Sequence, residues 1–98
     1  MDRLDLQSLL ETFTDHVYFQ PPTNVQMQFP CIVYKLDDMD SDFADNRPYY
    51  RKKRYMVTVI DRDPDTSIPD NVADLPLTSF LRNFVADNLH HFVILLYA

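Results

Sequence analysis

The chain of 98 residues contains no glycine. Positive backbone φ, and places where a ligand must approach the main chain closely, ordinarily fall to glycine. Phosphate-cradling loops, dinucleotide fingerprints and the serine nucleophile elbow are built on it, so those enzyme classes are not available here by their usual motifs. Cysteine is nearly as scarce. Cys31 stands alone and cannot form an internal disulfide, which fits a reducing compartment. No apolar run approaches the roughly 18–20 residues of a membrane span. The first residues are acidic and amphipathic, unlike a signal peptide. Cations are in the minority, nine against fifteen acids, and the formal net charge is -6. That balance argues against a general nucleic-acid binder, which needs net or locally concentrated cation.

What is present fits one small α+β domain. A hydrophobic fraction of 46% provides a modest core with Phe and Tyr as its bulk. A domain of this size buries only about 60–65% of its unfolded surface, so oligomerisation would help it. The stretch that organises the rest runs from Arg51 to Asp65. Four basic residues lead into Tyr55-Met56-Val57-Thr58-Val59-Ile60, whose β-branched members suit a pleated surface. Apolar groups fall on both faces, which predicts a middle strand covered on both sides. Pro64 cannot donate to a ladder, so the strand ends before it.

Upstream, Leu6, Leu9, Leu10, Phe13 and Val17 form one apolar stripe and predict a helix over 2–16, with Asp2 as N-cap and Asp5 in the first turn. A short strand over 17–19 ends at Pro21-Pro22, residues 26–29 are irregular, and a second strand covers 30–36. Within it Cys31 reads as a small buried hydrophobe. Residues 37–47 read as a polar loop holding Asp37, Asp38, Asp40, Asp42 and Asp45. Directly after it come Arg47, Arg51, Lys52, Lys53 and Arg54, with Tyr49 and Tyr50 between them. Downstream, Ile68, Val72 and Leu75 predict a short helix within 66–76. Two further strands follow over 79–85 and 92–97, joined by a turn at Ala86-Asp87-Asn88. The order of helix, three strands, helix, two strands predicts a mainly antiparallel sheet of about five strands with the two helices packed on it.

Asp61, Asp63 and Asp65 alternate like the start of a calcium loop. Thr66 and Val72 occupy the positions that need the turn glycine and the bidentate Glu, so a solvated turn is the better reading. His90 and His91 are neighbours in a strand and point to opposite faces, His16 is remote, and no zinc spacing exists. No nucleophile-and-base arrangement has local support, so a non-enzyme without a cofactor is expected. The adjacent acidic and basic blocks are the remaining candidate. Asp37 to Asp45 of one subunit could face Arg47 to Arg54 of a neighbour, or the blocks could pair within one chain or face water. The basic stretch could instead grip nucleic acid, aided by Tyr49 and Tyr50.

One set of residues carries a resemblance across nearly the whole chain. The set comprises Val17-Tyr18-Phe19-Gln20-Pro21-Pro22, Phe29-Pro30-Cys31-Ile32-Val33-Tyr34-Lys35, Ala44-Asp45-Asn46 and the run from Lys53 through Asp65. Leu75-Pro76, Ser79-Phe80, Arg82 and Ala86-Asp87-Asn88-Leu89 complete it. With these motifs the chain resembles the small tail-completion, or tail-terminator, proteins of siphophage-like tailed bacteriophages. His90 and Leu81 depart from that pattern, where Asn and an acidic residue are expected. The resemblance implies a sheet with helices packed on it and a homo-oligomeric ring, usually a hexamer, that caps the tail tube. The implied partners are the tail tube protein and the head-tail connector protein. The implied location is the virion near the head-tail junction, with assembly in the host cytoplasm. It implies no enzymatic activity, no cofactor and no membrane.

Overall fold

The computed structural model describes residues 2–22, 26–44 and 47–97, with the segments 39–44 and 47–52 described by their backbone alone. In chain order the elements are α1 (Arg3–Leu10), β1 (Val17–Phe19), β2 (Cys31–Ala44), β3 (Arg47–Asp61), α2 (Ile68–Ala73), β4 (Thr78–Ala86) and β5 (Leu89–Tyr97). The strands form one sheet in the order β1-β2-β3-β5-β4. β1 is parallel to β2 and every other pair is antiparallel, so the fold is α+β. β3 holds the middle place that its β-branched run predicts.

On one face of the sheet Tyr55, Val57 and Val59 of β3 lie beside Ile32 and Tyr34 of β2 and Ile94 and Leu96 of β5. Leu6 and Leu10 of α1 and Val72 of α2 close over them. Both helices therefore sit on the same face, so the expectation that β3 is covered on both sides holds on the second face only near Ile60. Among the described residues no helix lies on the second face. There Met56 and Thr58 are half-buried and Lys35, Ser79 and Arg82 are exposed. Polar groups meet solvent over that part of the face, while Cys31, Ile60 and Val93 at its other end are buried.

α1 begins where the sequence predicts. The Asp2 carboxylate accepts from the Asp5 N–H at 2.8 Å. The helix ends at Leu10, short of the expected residue 16. Thr12 and Phe13 donate their N–H groups three residues back, to Leu9 and Leu10, and the Thr12 hydroxyl also bonds the Leu9 carbonyl at 2.6 Å. Such tightening ends helices. Phe13 still packs on the core, so the spacing signalled burial beyond the last helical turn. At the sheet, the Tyr34 hydroxyl donates to Gln7 Oε1 and accepts from Arg3 at 3.3 Å, which satisfies a polar group in the core.

β4 and β5 meet at a two-residue turn, Asp87-Asn88, with φ of 54° and 61°. Both residues occupy the left-handed region, as a type I′ hairpin requires. Without glycine, that geometry falls to the two residue types that tolerate it best. The largest departure from expectation lies at 37–47. This stretch is a polar loop by composition, yet residues 37–44 continue β2 and 38–44 pair with β3. Asp is depleted in strands. Here the acids stand in register opposite cations, Asp38 to Arg54 and Asp40 to Lys52, and opposite charges across a pair favour the ladder.

Candidate assembly interface

β1 reaches β2 only over Val17–Phe19, opposite Ile32 to Tyr34, and β5 leaves β3 after the pair Arg54 and Tyr97. Beyond that point, among the described residues, 39–44 and 47–53 pair only with each other. They form a two-stranded arm that projects about 20–25 Å at the usual strand rise. The molecule measures 51 Å in its long direction and 28 and 23 Å across.

The root of the arm is a register shift between Leu36 and Asp38 that leaves Asp37 as an extra residue. Asp37 Oδ2 accepts from Arg54 Nε at 2.7 Å and lies 2.7 Å from Nη2, and Asp38 Oδ2 is 3.9 Å from the same nitrogen. Hydrogen bonds to the Tyr97 side chain and then to Asp37 favour the charged guanidinium and push the Arg54 pKa up. This contact joins β2, β3 and the end of β5 where the arm leaves the sheet.

The structure gathers most of the sequence-predicted site residues here. Asp37 and Asp38 lie at the root with Arg54 and the half-buried Lys53. Asp40, Asp42, Arg47, Arg51 and Lys52 are placed by backbone register along the arm, Asp40 opposite Lys52 and Asp42 opposite Tyr50. Asp45 lies outside the described residues. The acidic and basic blocks are thus adjacent strands of one chain. Over 37–54 five acids and five bases cancel, so the whole net charge of -6 belongs to the rest of the molecule.

No family model, curated protein or solved structure matches this chain. The site is therefore read from its own geometry. The other sequence candidates have local roles. Asp61 and Asp63 accept from the N–H groups of Asp63 and Asp65 at 3.1 and 2.9 Å, which uses their carboxylates to hold the turn. Among the described residues no group of three His, Cys, Asp or Glu side chains could hold a metal ion. His91 stacks on Phe84 with ring centres 4.6 Å apart, and His90 stands opposite Asp61 and Val85. Cys31 is fully buried, and burial, with Asp61 adding to it, raises its thiol pKa to about 11. Such a thiol is protonated and unreactive at neutral pH.

Two features were not legible beforehand. β4 is an edge strand and exposes Phe80, Leu81, Phe84 and Val85, between 42% and 62% accessible. Apolar groups on both faces mark β3 as central and occur equally in β4. Only the order of strands distinguishes them, and the pattern does not carry that order. On the face without helices, Pro21, Val33, Lys35, Met56 and Thr58 line an open cleft of about 610 Å3. No pairwise motif encodes it, because its walls come from three separate elements.

Proposed function

We propose that this chain is a structural subunit of a tailed-bacteriophage virion. In this reading copies form a homo-oligomeric ring, six being the usual number, that caps the tail tube and presents a surface to the head-tail connector. It acts without catalysis or a cofactor, at the head-tail junction, after assembly in the host cytoplasm. The motifs from Val17 to Leu89 support the family. The observation that carries self-assembly is the arm. Among the described residues both of its outer edges are unpaired; a two-stranded ribbon is marginally stable by itself in water, and open edges are templates for another chain. The exposed apolar edge of β4 is a second such surface.

Nucleic-acid binding through Arg47 to Arg54 is not favoured by the register. Asp38 and Asp40 stand opposite Arg54 and Lys52, so the cations do not form an isolated patch. Electrostatic affinity for phosphate depends on such a patch. The test is addition of the purified chain to polymerising tail tube protein of the same virus. Tube growth should stop, with labelled chain at one end of each tube. Undiminished growth with no end label, together with salt-dependent DNA binding, would overturn the reading in favour of the nucleic-acid module.

A further inference from the structure

The arm has two different open edges. The N–H groups of Ile32 and Leu36 point away from β3, to the His16 carbonyl and Gln20 Oε1. Odd-numbered residues of β2 up to Lys35 therefore face β3, and their partners Ile60, Thr58 and Met56 face β2. Counted onward through the extra residue Asp37, the main-chain groups of Met39 and Ser41 face the outer edge of β2. Those of Arg51 and Lys53 face the outer edge of β3. Neither edge has a further strand beside it among the described residues. One edge belongs to the acidic strand and the other to the basic strand.

Resting on the ring reading above, we propose that neighbouring copies join arm to arm. The outer edge of β3 over 47–53 in one copy hydrogen-bonds the outer edge of β2 over 37–44 in the next, and the arms close into one continuous β-barrel. The two strands of an arm run in opposite directions, and rotation about a ring axis preserves that sense. Contact between β3 of one copy and β2 of the next is therefore antiparallel, like the pairing inside each arm. The joined edges differ, so the contact is head-to-tail and closes on itself as a ring. Closure leaves no arm edge exposed, which is how barrels remove the hazard of open strands.

Charge selects this occupant. Asp38 and Asp40 stand in register opposite Arg54 and Lys52. A neighbour's basic strand laid against β2 gives each acid a cation on both sides, and a neighbour's acidic strand does the same for each base. Acid-to-acid or base-to-base joining of two arms places like charges opposite each other, which is unfavourable. Pairing of like edges is thereby disfavoured and pairing of unlike edges favoured.

Proline tests the edges one at a time, because it removes a single N–H and is tolerated on an outer strand. Ser41→Pro removes an outward donor of β2 and Arg51→Pro one of β3, with Ser41→Ala and Arg51→Ala as controls. The full chain is measured by native mass spectrometry over a concentration series. Wild type and the alanine variants should form a ring, and each proline variant alone should remain a single chain with an unchanged circular dichroism spectrum. Equal mixing of the two proline variants should stop at two copies, since each supplies one intact edge. Amide hydrogen exchange in the wild-type ring gives a readout free of substitution. Met39, Ser41, Arg51 and Lys53 should exchange at least tenfold more slowly than in the single chain. Proline variants that assemble like wild type, or protection confined to β4, overturn the arm contact while the ring stands. A wild-type chain that stays single at every concentration overturns the ring reading itself.

Discussion

At the scale of single residues, burial and backbone geometry act in opposite directions at Cys31 and Leu77. The Cys31 thiol is raised from an ordinary 9.0 to about 11 because the folded chain excludes water from it. The folded state therefore holds this proton more tightly than the unfolded state. Stability from this group is complete below pH 9 and is lost as pH rises through 11, by about 2–3 kcal/mol in all. Urea titrations from pH 8 to 11 should show that alkaline loss in wild type and a smaller one in Cys31→Ala. Leu77 is held at φ of 60° while 61% exposed. A bulky side chain in that region costs about 1–2 kcal/mol, whereas Asn adopts it readily. Leu77→Asn should accordingly raise stability by about 0.5–1 kcal/mol, seen as a rise of a few degrees in melting temperature. A fall would show that Leu77 makes packing contacts worth more than its strain.

At the scale of elements, β3 ties the fold together, because it pairs with β2 and β5 and supplies one strand of the arm. Val59, two residues before its C-terminal end, lies in the core with no exposed surface. Val59→Ala should destabilise by about 1–3 kcal/mol, through lost transfer energy and the cavity left behind. Unchanged denaturation midpoints would contradict the central placement. The identity of β3 was readable from 55–60, since β-branched residues with no turn signal inside the run admit little else. The true end of α1 was not. Apolar spacing reports which residues pack on the core, and Phe13 is half-buried against it without being helical. The arm was hidden for a different reason. Its strand character comes from Asp38 and Asp40 meeting Arg54 and Lys52 across a ladder. That long-range term overrides the local preference of aspartate for loops. The candidate residues themselves were readable from their adjacency in sequence. Their arrangement as paired strands within one chain was not, because nothing local fixes a register.

At the scale of the whole molecule, the charge and the shape divide in the same place. The body carries the net charge of -6, and the arm, balanced over 37–54, extends the long dimension to 51 Å. Like-charged bodies repel at long range, and this repulsion is screened by salt within about 10 Å at 0.1 M. Neutral arms can meet without that penalty. Ion pairs at the arm root contribute little to this balance, about 0–1 kcal/mol when solvent-exposed. The most direct test of the central claim is the mass of the purified full chain in sedimentation-equilibrium or light-scattering measurements over a wide concentration range. The account predicts one closed species of several copies whose size stops growing with concentration. A single chain at every concentration, or growth without limit, would contradict it.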